Sequence, residues 1–97
     1  MDVRHRDDRL GDIERGPSDG GLAQGIAKAF RKRMQFIRDA PDERDFFAMR
    51  SLRFERLKGG RSHQYSMRLN DQWRLILELE GSGKDKVVAI VAIEDYH

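Results

Sequence analysis

The last three residues of the chain, Asp95, Tyr96 and His97, are of the types that proton-transfer chemistry uses. Histidine exchanges protons near neutral pH, aspartate can orient it or act as a base, and tyrosine can stack on a nucleobase. RNA can be cut without a metal if a base deprotonates the 2'-hydroxyl, a cation stabilises the phosphate and an acid protonates the leaving 5'-oxygen. The alternative is that these residues form a solvated tail.

Two arginines are candidates for the cation. Residues 65–69 and 73–80 alternate between apolar and polar side chains, and residues 70–72 can form the turn of a hairpin between them. This pattern places Arg68 and Arg74 on the same face, on neighbouring strands close to the turn. We therefore expect two guanidinium groups, whose donors fit a phosphate, to lie close together.

A basic segment surrounds these arginines. Residues 50–74 contain seven basic residues and two acidic ones, although the net charge of the whole chain is only +2. Such a segment is a plausible footprint for a polyanion such as RNA, and the alternative is an ordinary solvated face. Within it, Lys58 and Arg61 flank Gly59-Gly60, a flexible loop that is well placed for phosphate contacts.

The second half of the chain must position these residues. Its apolar and polar side chains alternate with a period of two residues, which predicts three or four strands. The expected strands are residues 52–57, 63–69, 73–80 and 87–93. Residues 87–93 are apolar throughout, which is typical of a strand covered on both faces. Because no linker separates this strand from Asp95, we expect the core to fix the position of the terminal residues.

The first half is predicted to be mainly helical. Residues 1–6 form a short strand, and Asp8 caps a brief helix that ends at Gly16. A long amphipathic helix then carries apolar residues at spacings of three or four until Pro41 prevents its continuation, and Asp42 can cap one further turn. The apolar positions of the long helix are Leu22, Ile26, Phe30, Met34 and Ile37.

Length and composition favour one domain over residues 1–97 with an α+β fold. The absence of cysteine excludes disulfides and thiolate zinc sites, and His5, His63 and His97 are too scattered to suggest a metal cage. We therefore expect no metal or cofactor. The longest apolar run is too short to cross a bilayer and the first residues lack an apolar stretch, so we expect a cytoplasmic protein without membrane contact.

Three motifs resemble the HigB-type plasmid-maintenance killer toxins of the RelE/ParE superfamily. They are Leu57-Lys58-Gly59, the stretch from Tyr65 to Arg74, and the ending Glu94-Asp95-Tyr96-His97. The resemblance implies a RelE-like fold, with N-terminal helices packed on an antiparallel sheet. It also implies a toxin that inhibits translation by cleaving mRNA in the ribosomal A site, and a HigA-like helix-turn-helix antitoxin. Operator DNA would be contacted only through the toxin–antitoxin complex.

The resemblance also assigns roles by position. The catalytic residues would be Arg74, Asp95, Tyr96 and His97, with the roles inside the terminal triplet left open, and Lys58, Arg61 and Arg68 would bind RNA. One departure is Glu55, which stands where several family members have a histidine, so this glutamate must substitute for it, or Asp95 and His97 must share the work. Two alternatives are a non-catalytic module that binds RNA or protein, and a ribonuclease that acts without ribosomes.

Overall fold

Five strands form one sheet, with the strand order β1-β5-β4-β3-β2, in a computed structural model that describes residues 1–95. Strand β1 pairs in parallel with β5, and the other neighbours pair antiparallel. The helices lie on one face, so the expected α+β architecture of helices on a mainly antiparallel sheet is confirmed. The strands are β1 Asp2–His5, β2 Glu55–Arg56, β3 Tyr65–Arg68, β4 Trp73–Glu80 and β5 Val87–Asp95.

Three α-helices precede β2, namely α1 Asp8–Arg15, α2 Ile26–Asp39 and α3 Arg44–Ala48. The residue that caps α1 is Asp7 and not the expected Asp8, because the carboxylate of Asp7 accepts a hydrogen bond from the backbone N–H of Arg9. In the described part of the chain, residues 1–95, these helices are too short or too polar to cross a membrane.

The apolar stripe of α2 packs on the sheet as expected. Phe30, Met34 and Ile37 are fully buried against strand residues such as Leu77 and Ile90. Burying one such side chain stabilises the fold by about 1.5–3 kcal/mol. The helix begins at Ile26 and not at Leu22, because turns occupy the preceding residues, although Leu22 still packs against the core.

The expected strand over residues 52–57 is largely wrong. Glu55–Arg56 is the part that pairs with β3, while Arg50–Leu52 forms a turn of 3-10 helix. Between them Arg53 adopts a left-handed conformation with φ 47°, which redirects the backbone. The alternation in the sequence arises because Leu52 and Phe54 are both buried in the core on either side of this bend.

Strand β5 continues past its apolar part to Asp95, which is paired with Trp73 of β4. The register of this pair shifts between Ile76 and Leu77 of β4, because they pair with Ala92 and Ile90 and leave Val91 of β5 as the extra residue of a bulge. Because β1 pairs only with residues 87–90 of β5, complete burial is confined to Val88–Ile90, and the remainder of the strand is partly exposed. The core therefore fixes β5 up to the residue that precedes the two undescribed ones, Tyr96 and His97.

Candidate active site

The sheet face opposite the helices, called here the open face, carries Arg74 at the end next to the turn between β3 and β4. Arg74 on β4 lies directly opposite Arg68 on β3 and Glu94 on β5. The hairpin prediction is therefore confirmed, because Arg68 and Arg74 are cross-strand partners on one face. Arg74 is only 6% exposed, so its guanidinium is held in place by the surrounding protein.

The bend before β2 holds the guanidinium of Arg74. Its Nη2 donates to the backbone carbonyl of Arg53 at 3.1 Å and lies 3.7 Å from Oε1 of Glu55. Glu55, the residue that replaces the family histidine, is thus adjacent to the predicted phosphate-binding arginine. Its carboxylate is well exposed, which makes it accessible to a substrate.

Two clefts meet at Arg74, which lines both of them. The first, called here the arginine cleft, has a volume of about 250 Å³ and is lined by Ser51, Arg53, Arg68, Asn70, Asp71 and Arg74. The second, the carboxylate cleft, has a volume of about 230 Å³ and is lined by Leu57, Arg61, Ser66, Arg74, Ile76, Glu94 and Asp95. A phosphodiester chain laid across Arg74 would therefore reach both clefts.

Strand β5 brings Asp95 to the carboxylate cleft beside Arg74. Oδ2 of Asp95 accepts a hydrogen bond from Nε2 of Gln72 at 3.1 Å. The structure thus places two of the four predicted catalytic residues along one cleft. The other two, Tyr96 and His97, lie outside the described residues.

Of the three predicted RNA-binding residues, Arg61 lines the carboxylate cleft, Arg68 lines the arginine cleft, and Lys58 is exposed and lines neither. Arg61 donates to both carboxylate oxygens of Glu94, at 3.1 and 2.8 Å, and to Oε1 of Gln64 at 3.0 Å. The hydrogen bond with Glu94 raises the pKa of Arg61. The loop that carries Arg61 is thereby attached to the end of β5.

Ser66 was missed as a candidate, although its position was predicted correctly. It is fully buried in the floor of the carboxylate cleft, and its hydroxyl makes no hydrogen bond with any described residue. A buried hydroxyl without a partner is unfavourable, so a ligand in the cleft is a natural acceptor for it. The sequence signal that could have identified Ser66 is its position two residues before Arg68, which places both side chains on the same face of β3.

The other end of the open face, called here the paired end, consists of Arg4, Arg6, Glu78 and Glu80. Arg4 pairs with Glu80, and Arg6 pairs with Glu80 and with Glu78 at 2.7 Å. Burial opposes the ionisation of Glu78, but hydrogen bonds from Gln64 and Arg6 outweigh it and lower the pKa of this carboxyl. The cations and carboxylates here are in direct ion pairs, whereas the carboxylate of Glu55 lies 3.7 Å from Arg74 and is well exposed.

The donor set of the site suits an anion. Within residues 1–95, no three His, Asp or Glu side chains are grouped so that they could hold a metal ion. The arrangement instead offers the buried guanidinium of Arg74 and the buried hydroxyl of Ser66, with the carboxylate of Asp95 lining the same cleft and that of Glu55 3.7 Å from Arg74. Chemically, it can bind a phosphodiester and accept a proton from a group next to it.

Comparison with known proteins is consistent with this geometry. The family model described as "RelE-like toxin of type II toxin-antitoxin system HigB" matches residues 7–97. A solved structure of a YoeB/ParE toxin from Agrobacterium tumefaciens superposes with a TM-score of 0.67 at 22% identity, over 100% of both chains. At that identity the likeness concerns the fold. No curated protein matches the chain.

Proposed function

Since this chain belongs to the HigB-like family of RelE-like toxins of type II toxin–antitoxin systems, we propose that it cuts messenger RNA on the ribosome. The observation that carries this proposal is the buried Arg74, which shares the carboxylate cleft with Asp95. An arginine fixed before substrate arrives needs no reorganisation as charge builds on a phosphate. Such preorganised donors contribute about 100- to 1,000-fold to a reaction rate.

The reaction is transfer of the phosphoryl group to the neighbouring 2'-oxygen. A base removes the proton of the 2'-hydroxyl, the bond between O2' and phosphorus forms, and the bond between phosphorus and O5' breaks. An acid then supplies the proton that O5' needs to leave. Guanidinium donors of Arg74 bind the non-bridging oxygens throughout, and the hydroxyl of Ser66 is positioned to assist them.

Three groups can carry the two proton transfers, namely Glu55, Asp95 and His97. At neutral pH a carboxylate accepts a proton more readily than it donates one, so the carboxylates suit the base. Glu55, 3.7 Å from Arg74, occupies the position at which several relatives carry a histidine. We assign His97 the role of acid and Tyr96 that of a base-stacking residue, because their types fit these tasks.

The size of the site explains why a ribosome would be needed. Two clefts of about 250 and 230 Å³ hold a small part of an RNA strand and cannot by themselves fix the geometry of attack. A ribosome that holds the mRNA in its A site would supply that orientation.

A type II toxin has an antitoxin partner, and we propose a HigA-like helix-turn-helix protein for this role. In this arrangement the toxin reaches operator DNA only through the complex. The proposal predicts that co-expression of that antitoxin restores growth.

The test is mapping of mRNA ends in a translating extract. We expect cuts that require ribosomes with the intact chain and no cuts with Arg74→Ala or His97→Ala. Arg4→Ala is the matched control, because Arg4 is an arginine of the same open face at the paired end. Cuts that persist in both site variants, or a wild-type chain that never cuts, would contradict the proposal. Efficient cleavage of naked RNA would instead indicate a ribonuclease that acts without ribosomes.

A further inference from the structure

The arginine cleft contains more positive charge than one scissile phosphate requires. Arg68 and Arg74 face each other across β3 and β4, and Arg53 closes the third side. Asn70 adds a polar group, and its Oδ1 is occupied by the backbone N–H groups of Gln72 and Trp73. The amide nitrogen of Asn70 therefore remains available as a donor to a ligand in the cleft.

Among residues 1–95, one carboxylate lines this cleft, that of Asp71, which forms an ion pair with Arg68. The Asp71 side chain is 99% exposed, and an ion pair with such a solvated partner is weak and easily replaced. The anionic partner of Arg68 can thus be exchanged for a phosphate without disturbing the fold.

Arg33 on α2 is close enough to Arg68 for the two positive charges to repel each other. Its side chain is half-buried, and its Nε is buried without a hydrogen-bond partner among residues 1–95. Burial and the nearby charge of Arg68 both lower the pKa of Arg33. Like charges repel when they are partly removed from water, so an anion next to Arg68 would also stabilise Arg33.

The backbone at Arg53 is itself unusual. Its φ of 47° and ψ of 48° are left-handed, which is unfavourable for a residue with a Cβ atom. In this conformation the carbonyl accepts from Arg74 while the side chain lines the arginine cleft. Strain of this kind is concentrated at binding and catalytic sites.

We propose that the arginine cleft binds a second backbone phosphate of the RNA, adjacent to the scissile one, through Arg53 and Arg68. Arg74 forms the wall between the two phosphates. This inference rests on the proposed function. It assigns Arg53 a role in positioning the strand, so that the attacked linkage is seated on Arg74.

The test uses ribosomes programmed with mRNA in which one linkage next to the cleaved one is an uncharged methylphosphonate. We expect the wild-type chain to lose about tenfold in single-turnover rate when one of the two flanking linkages is neutral. On unmodified mRNA, Arg53→Gly and Arg68→Gln should lower the single-turnover rate by a similar factor. On mRNA with the methylphosphonate linkage, these variants should cut no more slowly than they do on unmodified mRNA. Arg4→Gln is the matched control.

Arg53→Gly is the most informative variant, because glycine favours the left-handed conformation and retains the carbonyl that holds Arg74. A loss of rate therefore reports the missing side chain and not a misfolded bend. Wild-type cleavage that tolerates a neutral linkage on either side would overturn the inference while leaving the proposed function intact. Variants that cut normally but escape the antitoxin would also overturn it and assign the cleft to protein binding. A wild-type chain that cuts no ribosome-bound mRNA would overturn the proposed function.

Discussion

The two ends of the open face carry arginines in very different settings. At the paired end, Arg4 of β1 and Arg6, which follows this strand, reach across β5 to carboxylates on β4. In the part of the chain that the structure describes, the arginine cleft is lined by three arginines and by one carboxylate, that of Asp71, which is almost fully solvated. The first arrangement stabilises the sheet, and the second leaves positive charge for a ligand.

The difference lies in how an arginine is held. Glu80 and Glu78 hold the arginines of the paired end and neutralise their charge. The guanidinium of Arg74 is instead bound by the backbone carbonyl of Arg53, and the carboxylate of Glu55, whose side chain is 59% exposed, lies 3.7 Å from it. A carbonyl is a neutral dipole that orients a cation, and an exposed carboxylate at that distance is a weak partner, so a phosphate can still bind to Arg74. Predictions about the two ends should therefore differ in kind, with function affected at one end and stability at the other.

The largest effect is expected for Arg74→Lys. Lysine keeps the charge but loses the planar fork that reaches both the Arg53 carbonyl and a phosphate oxygen. We expect single-turnover cleavage on ribosomes to fall about 100-fold, with little change in unfolding free energy. Arg6→Lys at the paired end should change the rate by less than about twofold. Equal losses from both variants would show that the two ends do not differ as argued.

The second prediction concerns stability and the paired end. Glu78 is 8% exposed and is bound by Gln64 at 3.0 Å and Arg6 at 2.7 Å. Replacing it by glutamine removes the charge that strengthens both of these hydrogen bonds, at a position that is itself buried. We expect Glu78→Gln to lower the unfolding free energy in urea by about 1–3 kcal/mol at pH 7. The cleavage rate of the folded variant should remain that of the wild type.

The pKa of the Glu78 carboxyl determines how the stability of the protein changes with pH. Burial opposes its ionisation, yet the hydrogen bonds from Gln64 and Arg6 lower its pKa from the ordinary 4.5. Ionised Glu78 therefore stabilises the fold fully above pH 4.5, and this stabilisation is lost as the pH falls through the lower pKa of the folded state. The difference in stability between wild type and Glu78→Gln should shrink over that acidic range. A difference that grows on acidification would contradict the assignment.

These contrasts also show what could be predicted from sequence. The alternation in residues 65–80 placed Arg68 and Arg74 together, and the apolar run before Asp95 brought that residue to the site. Both features follow from the spacing of apolar residues within one segment, which can be read directly from the sequence. The RelE-like fold expected from the three motifs is confirmed by the matching family and fold.

The remaining features depend on contacts between distant segments. The conformation of Arg53 follows from burying both Leu52 and Phe54, and no residue type at that position signals it. The ion pairs of Arg4 and Arg6 require β1 to lie beside β5, so that residues more than seventy positions apart meet. A charge count could indicate a basic segment but could not tell which arginines are neutralised.

The third prediction distinguishes the effect of the strained backbone at Arg53 on stability from the effect of its side chain on the cleavage rate. Arg53→Ala and Arg53→Gly both remove the guanidinium, but alanine retains the strain of a positive φ and glycine does not. We expect the glycine variant to be more stable than the alanine variant by about 1 kcal/mol in urea unfolding. Both should cut more slowly than the wild type, because both lack the cleft charge. Equal stabilities would mean that the bend relaxes when the side chain is removed.

The smallest effect is expected when the carboxylate that pairs with Arg61 is removed, which tests whether a paired arginine can be made available to RNA. Glu94 neutralises Arg61 at the carboxylate cleft much as Glu80 neutralises Arg4, but both side chains of the Arg61 pair are well exposed. Removing such a carboxylate costs little stability, about 0–1 kcal/mol, and makes Arg61 available to RNA. We expect Glu94→Gln to bind mRNA with a 2'-deoxy block at the cleaved nucleotide about threefold more tightly, as measured by fluorescence anisotropy. The matched variant Glu80→Gln should leave that affinity unchanged, because its arginines lie at the far end of the face. Tighter binding by both variants would indicate a general gain in positive charge, and tighter binding by Glu94→Gln alone would show that position on the open face decides which arginines reach RNA.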